Sequence, residues 1–396
     1  MFLTREEERM LGGEEGRAVA KSMELLVTLG EIFGAERLVP VESAHISGVS
    51  YKNLSDAGLD YLEEQAELGA RVRIPASLNP AGMDLGKWRE MRVPEAFAEK
   101  QLWIIRTFER MGVDPTCTCT PYLVGRVPRL GSQIAWAESS AICYANSVLG
   151  ARTNRESGPT TLASAITGLT PLYGYRLDAN RLPGKLVEVK ARLVDSLDYS
   201  ALGYVTGKWL GATVPYFRGL GRPDTESLKA LGAACATSGG TALWHGECVT
   251  PEAESMKPHL NGVEKVMIED SDIDDAKEKF SGDVSDPVYC VGCPHCSLRE
   301  VKEVAELLND KGLNGRLAVF TSRGVFAEAQ RAGLIRRIEG AGGNVFVDTC
   351  MVVAPLREMG WRSVATNSFK AAHYSAGMGL AAKVCDVKEL VEGAQR

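Results

Sequence analysis

From Pro287 onward the chain alternates short apolar runs with helical patterns at a regular spacing, and few folds accept that alternation. VYCVG, LAVFTS, NVFVDT and SVATNS read as strands, with helices over 298–308, over 325–341 and after the last strand. Such a repeat calls for parallel strands joined by crossover helices, so residues 286–396 are expected to form a doubly wound α/β domain. Open parallel sheets place ligand-binding groups at the carboxyl ends of their strands. Cys290, Cys293, Cys350 and Lys370 fall near the expected strand ends and should converge on one edge.

The 396 residues exceed what one hydrophobic core usually serves, which implies two or three domains. Residues 1–285 read as an N-terminal α/β region. In it, 38–41 and 72–74 look like strands, 97–111 like a helix, and about 150–250 like an inserted or packed subdomain. The acidic stretch 268–286 reads as a solvated helix and linker that marks the boundary. At the start of the chain, Thr4 and Glu7 have the spacing of a helix capping box.

With 45% hydrophobic and 24% charged residues the chain is not disordered. A net charge of -6 and the lack of a Lys/Arg stripe argue against nucleic acid as a partner, though a small anion remains compatible. No run reaches the roughly 18 apolar residues of a membrane span, and MFLTREEERM lacks a signal-peptide core. The expectation is a cytoplasmic protein without membrane association.

Ten cysteines are many for a reducing compartment, where disulfides do not persist. Cys143, Cys235, Cys248 and Cys385 stand alone among small or apolar residues and are expected to pack. The other six form three groups: Cys117 and Cys119 in TCTCTPYLVG, Cys290, Cys293 and Cys296 in YCVGCPHCS, and Cys350 in VDTCMVVAPL. The C-x-x-C-x-x-C run suggests metal. Yet a ferredoxin pattern would put a fourth Cys where Glu300 stands, and His295 is too close for the usual zinc pairs. The five histidines include no H-x-x-x-H pair, and neither a G-x-S-x-G elbow nor a Walker A loop occurs. The Gly-rich fragment TSGGTALWHGE reads as a tight turn.

Two loops could bind an anion. SAHISGVSYKN would present successive backbone N–H groups at Gly48, Val49 and Ser50, and SLNPAG would offer Asn79 and Pro80 opposite. Lys370, just after a strand end, could pair with a carboxylate or phosphate. Arg152 and Arg155 are second-rank candidates. The bland alternatives are ordinary turns for both loops, a solvent-facing lysine, and a helix-surface carboxylate at Glu138.

CTCTPYL, AWAESSAICYANSVLGARTNRESGPT, GCPHCS, DTCMVVAPL and TNSFKAAHYSAG, in that order, resemble the large subunit of aconitase X proteins. The resemblance runs from about residue 30 to the end. It implies an aconitase-like multidomain architecture, with parallel-sheet α/β domains around a cleft that holds an iron-sulfur cluster. It also implies one cluster ligand per segment, at Cys119, Cys293 and Cys350. Three protein ligands leave one iron of a 4Fe-4S cluster open, and such a cluster is sometimes isolated as 3Fe-4S. Cys117, Cys290 and Cys296 would then be neighbours that tune or pack.

The resemblance further implies that Glu138 and Ser139 touch substrate, together with Gly48, Val49, Ser50, Asn79, Pro80 and Lys370. Characterised archaeal members dehydrate (R)-5-phosphomevalonate, a small phosphorylated hydroxy acid. Single-chain relatives dehydrate cis-3-hydroxy-L-proline. In aconitase-type enzymes the proton-abstracting serine comes from a smaller swivelling domain, and this chain ends at Arg396 after the last motif. A separate small subunit that supplies the catalytic serine, in a heterodimer or larger assembly, is therefore expected. The cysteine run taken alone would also suit a non-catalytic iron-sulfur electron-transfer protein.

Overall fold

The structure is a computed structural model that describes residues 1–282, 284–309, 312–313 and 315–395. Its first region contains strands β1 (Leu38–Pro40), β2 (Ala44–Ile46), β3 (Ala76–Leu78), β4 (Ala135–Trp136) and β5 (Leu169–Pro171). β1 and β5 pair antiparallel, whereas β3, β2 and β4 form a parallel sheet in that order. The sheet lies among helices Arg17–Ile32, Tyr51–Glu67, Glu95–Arg110 and Gly158–Thr167, which bury Met23, Leu26, Ile104, Phe108 and Ile166 in one core. The capping box at Thr4 and Glu7 is present and starts the first helix, Arg5–Leu11.

The second region holds β6 (Lys185–Val189), β7 (Pro215–Arg218), β8 (His245–Gly246) and β9 (Lys265–Ile268), parallel in the order β8-β7-β6-β9. Its helices Ser196–Leu210 and Thr225–Gly239 begin at Asp195 and Asp224, whose carboxylates accept the orphan N–H groups of the first turn. These two helices approach closely because glycines line the contact. A Cβ on Gly203 would lie 2.3 Å from the Leu231 carbonyl oxygen, and one on Gly207 would lie 2.7 Å from that of Cys235.

The third region is the doubly wound domain read from the sequence. Its strands are β10 (Val288–Cys296), β11 (Leu317–Thr321), β12 (Asn344–Phe346), β13 (Ser363–Thr366) and β14 (Ala381–Val384). They are all parallel, in the order β12-β11-β10-β13-β14, so the winding reverses between β10 and β13, the place where such sheets bind ligands at their carboxyl ends. Ser297, Ser322, Ser368 and Asp386 each follow a strand and cap the next helix. These short polar residues mark the turn from strand to helix.

Several expectations are corrected. Residues 72–74 form no strand: the N–H groups of Val72 and Arg73 go to the carbonyls of Met111 and Ala165, and β3 starts only after Pro75. The helix expected over 325–341 is two helices, Arg323–Arg331 and Leu334–Gly340, separated by Gly333 in a left-handed conformation. In the acidic stretch Asp270–Glu278 is helical, and position 283 lies outside the described residues. Cys248 does not pack: it is exposed, at positive φ in the turn after β8. In TSGGTALWHGE, Gly239 ends a helix and the tail enters β8.

One core joins the first and third regions. Met83, Met91, Val93 and Ala98 pack with Cys290, Phe320, Phe346, Leu356 and Ala371. Another places Trp136 and Tyr144 with Val187, Phe217 and Phe369, and so draws on all three regions. Among the described residues no helix is long and apolar enough to cross a membrane.

Candidate active site

The loops after β2, β3 and β4 lie side by side because their strands are parallel neighbours. They carry Gly48, Val49 and Ser50, then Asn79 and Pro80, then Glu138 and Ser139. Gly48 has φ 76, the left-handed value an anion-binding nest requires. Among the described residues, the N–H groups of Gly48, Val49 and Ser50 have no intramolecular acceptor. Gln101, fully buried, fixes this loop against its neighbour: its amide donates to the Val49 carbonyl (3.1 Å), and its oxygen accepts from the N–H groups of Tyr51 and Gly82 (both 2.9 Å). Pro80 is buried, and Ser139 opens the helix Ser139–Ser147.

Glu138 is the N-cap of that helix, so it is not a helix-surface carboxylate; its side chain is 12% exposed. It accepts from the Asn79 amide at 2.8 Å, the Ser140 hydroxyl at 2.9 Å and the Lys370 ammonium at 2.5 Å. Burial opposes its charge, but the Lys370 cation prevails and holds the carboxyl at about 2. Lys370 itself is 7% exposed and donates also to Ser140 Oγ at 3.2 Å. Burial works against its ammonium, and Glu138 outweighs burial and raises its pKa. The solvent-facing reading of Lys370 is thereby excluded.

His45 is fully buried on β2, with Nδ1 2.9 Å from Ser77 Oγ. Burial pushes its pKa down to about 4, so the imidazole is neutral. In the sequence His45 carries no signal of this role, since it belongs to no H-x-x-x-H pair.

The three cysteines of the resemblance, Cys119, Cys293 and Cys350, come from two loops and the irregular end of β10, and all are buried. Cys119 follows a segment laid along β3, where the Thr118 N–H donates to the Leu78 carbonyl. Cys293 leaves the sheet through an irregularity in β10. Its predecessor Gly292 has φ 107, and a Cβ there would lie 2.1 Å from the Phe320 carbonyl oxygen, so only glycine fits. Cys350 follows Asp348, also at positive φ, whose carboxylate receives Arg323 through two bonds of 2.6 and 2.8 Å. The Ala81 N–H donates to the Asp348 carbonyl at 2.7 Å, and Ser50 Oγ donates to that of Val353, so this loop is docked on the first region.

Electrostatic coupling ties these groups together. Burial raises all three thiols, Cys293 to about 12, while Lys370 pulls each of them back. The expected convergence on one edge holds for Cys293, Cys350 and Lys370 but fails for Cys290. β10 is longer than expected, and Cys290 sits in its paired centre with its side chain in the core beside Phe320. Cys296 packs in the core on the other face of the domain, and Cys117 in that of the first region. Arg152 and Arg155 are committed elsewhere: Arg152 to Asp178 and the Arg176 carbonyl, Arg155 to the Gly240 carbonyl.

Among the described residues no three His, Cys, Asp or Glu side chains are grouped to hold a single metal ion. A cluster distributes its thiolates over separate irons, so donor chemistry is the better measure of fit. Three buried thiols share one cation, and Cys119 Sγ accepts the His295 N–H at 3.2 Å. Sulfurs with amide donors and a nearby positive charge suit an anionic iron-sulfur group.

Parallel sheets in three regions, with the cysteine-bearing segments and the Glu138–Lys370 pair brought together where the first and third regions pack, define an aconitase-like scaffold. Family profiles described as Aconitase X first, second and third domain match residues 1–179, 183–278 and 287–396. The chain belongs to the aconitase X family. It is 50% identical to the phosphomevalonate dehydratase large subunit of Methanothermobacter thermautotrophicus, over 99% of this chain and 98% of that one. It is 48% identical to the protein of the same name from Methanocaldococcus jannaschii, over 99% and 100%. The cis-3-hydroxy-L-proline dehydratase of Pseudomonas aeruginosa is more distant, at 36% identity over 94% of this chain and 66% of that one. A crystal structure of Thermococcus kodakaraensis aconitase X in its holo-form superposes with a TM-score of 0.94 at 45% identity, covering 100% of both chains.

Proposed function

We propose that this chain is the large subunit of a hydro-lyase that converts (R)-5-phosphomevalonate to trans-anhydromevalonate 5-phosphate in an archaeal mevalonate pathway in the cytoplasm. It would act with a 4Fe-4S cluster on Cys119, Cys293 and Cys350 and with a small subunit that contributes the base. The relatives that span the chain almost end to end carry this activity and the words large subunit in their names, whereas the hydroxyproline enzyme extends well beyond it.

The observation that carries the reading is the Glu138–Lys370 pair, where the loops after β2, β3 and β4 meet the cysteine-bearing segments. The reaction removes the C3 hydroxyl and one C2 proton as water and needs no redox partner. When bound, the cluster supplies a coordinatively unsaturated iron, a Lewis acid toward the departing hydroxyl. Glu138, ionised at neutral pH, accepts a hydrogen bond from that hydroxyl and orients it. The free N–H groups of Gly48, Val49 and Ser50 bind an anionic oxygen of the substrate. Asn79, held by Glu138, and buried Pro80 form the facing wall, and Ser139 presents its hydroxyl at the helix start. Lys370 keeps Glu138 charged and adds positive potential for the substrate's anionic groups. The C2 proton goes to the small subunit's serine.

The test is anaerobic co-expression with a small-subunit gene, followed by assays on (R)-5-phosphomevalonate and cis-3-hydroxy-L-proline. Dehydration of the first by the two-chain enzyme is expected. Turnover of the second alone would reassign the substrate, and full activity without the small subunit would remove the partner's base from the reading.

A further inference from the structure

We propose that His295 is the positioning residue that locks the three cysteine-bearing segments together, a role that rests on Cys119, Cys293 and Cys350 being the cluster ligands. His295 is fully buried two residues after Cys293, and it bonds to both other segments at once. Nε2 lies 2.7 Å from the Thr349 carbonyl oxygen, beside Cys350, and Nδ1 lies 3.0 Å from Thr118 Oγ1, beside Cys119. A carbonyl only accepts, so Nε2 carries the hydrogen; Nδ1 then accepts from the Thr118 hydroxyl, which in turn accepts from the Thr120 N–H. One neutral ring thus supplies a donor on one side and an acceptor on the other.

The backbone of His295 completes the arrangement. Its N–H donates to Cys119 Sγ at 3.2 Å, and its carbonyl accepts from Lys229 Nζ at 2.9 Å. Lys229 comes from the second region and is also paired with buried Glu300, at the start of the helix after β10. The peptide units on both sides of His295 are therefore held, and the N–H aimed at Cys119 depends on the ring for its direction. Amide donors to cluster sulfurs set cluster stability and potential, so this residue governs both without touching iron.

The experiment uses the full chain, reconstituted anaerobically with iron and sulfide, in wild-type form and as His295→Phe, His295→Gln and Thr118→Val. Phe keeps a ring of similar size and loses both ring bonds, Gln keeps a donor for Thr349, and Val removes only the Thr118 hydroxyl. Iron and sulfide per chain, the rate of iron loss to a chelator, and the reduction potential are measured. Iron loss from His295→Phe is expected to be faster by on the order of tenfold, the worth of about one hydrogen bond. Thr118→Val should show a smaller change in the same direction, Gln should recover part of the loss, and the potential of the Phe variant should move. Wild-type loss rate and potential in His295→Phe would overturn the proposal. Should that variant fail to fold, unchanged values in Thr118→Val overturn it instead. A wild-type chain that takes up no cluster overturns this proposal together with the ligand assignment, whereas cluster uptake with indifferent variants overturns this proposal alone.

Discussion

Replacing Lys370 by Met keeps the length of the side chain and removes the ammonium 2.5 Å from Glu138 Oε1. The structure sets the size of the effect. A carboxyl held at about 2, against an ordinary 4.5, gains about 3 kcal/mol at neutral pH from its native surroundings. Since the shift is downward, that stability is fully present above the ordinary carboxyl value and is lost as pH falls toward 2. Lys370→Met removes the main source of the gain and leaves a buried carboxylate without its cation, so a destabilisation of about 3–5 kcal/mol is expected at pH 7. Glu138→Gln should cost a comparable amount, because it strands the ammonium. The double variant strands nothing and should be more stable than the sum of the two losses predicts, by a coupling of about 3 kcal/mol. The assay is urea denaturation of the four apo chains at pH 7 and again near pH 3, where the coupling should shrink. Additivity of the two single losses to within about 0.5 kcal/mol at pH 7 would refute the claim that the pair is held by charge.

Three further outcomes are expected. Serine replacement of Cys119, Cys293 or Cys350 should remove most of the iron, whereas serine at Cys117, Cys290 or Cys296 should leave it near wild type; iron analysis of reconstituted chains distinguishes the two sets. Gln101→Leu leaves the Tyr51 and Gly82 N–H groups and the Val49 carbonyl without their partner. It should destabilise by about 2–4 kcal/mol and raise KM more than it lowers kcat, as thermal melts and steady-state kinetics would show. Gly207→Ala puts a Cβ 2.2 Å from Ser238 Oγ and 2.7 Å from the Cys235 carbonyl oxygen, so the two helices must part; a loss of about 1–3 kcal/mol should appear as a lower Tm.

The third region was legible because four of its five helices begin with a Ser or Asp cap just after an apolar strand run, the exception being Leu334–Gly340 behind Gly333. β14 and the helix Val387–Ala394 are not legible in the same way: AAKV is short and only half-buried, a weak signal for an edge strand. The first sheet was harder, since β2, β3 and β4 have only two or three residues each and take their register from neighbours rather than from alternation. The loops that carry Gly48, Asn79 and Glu138 were found by their turn chemistry and by resemblance. The ties between them were not. Gln101 sits on the apolar stripe with Ala98, Ile105 and Phe108, and a polar residue at such a position was the available clue. His295 lies among cysteines and so suggests a metal ligand, while its partners Thr118 and Thr349 are too far away in sequence for spacing to reveal them.

The core shared by the first and third regions has a consequence for synthesis. A chain emerging from its N-terminus displays Met83, Met91, Val93 and Ala98 long before Phe320, Phe346, Leu356 and Ala371 exist to cover them. Over the same interval Glu138 waits for the Lys370 ammonium. The nascent protein therefore carries a sticky patch and a carboxylate without its cation until nearly its last residues are made, and chaperone demand should peak late in translation rather than early.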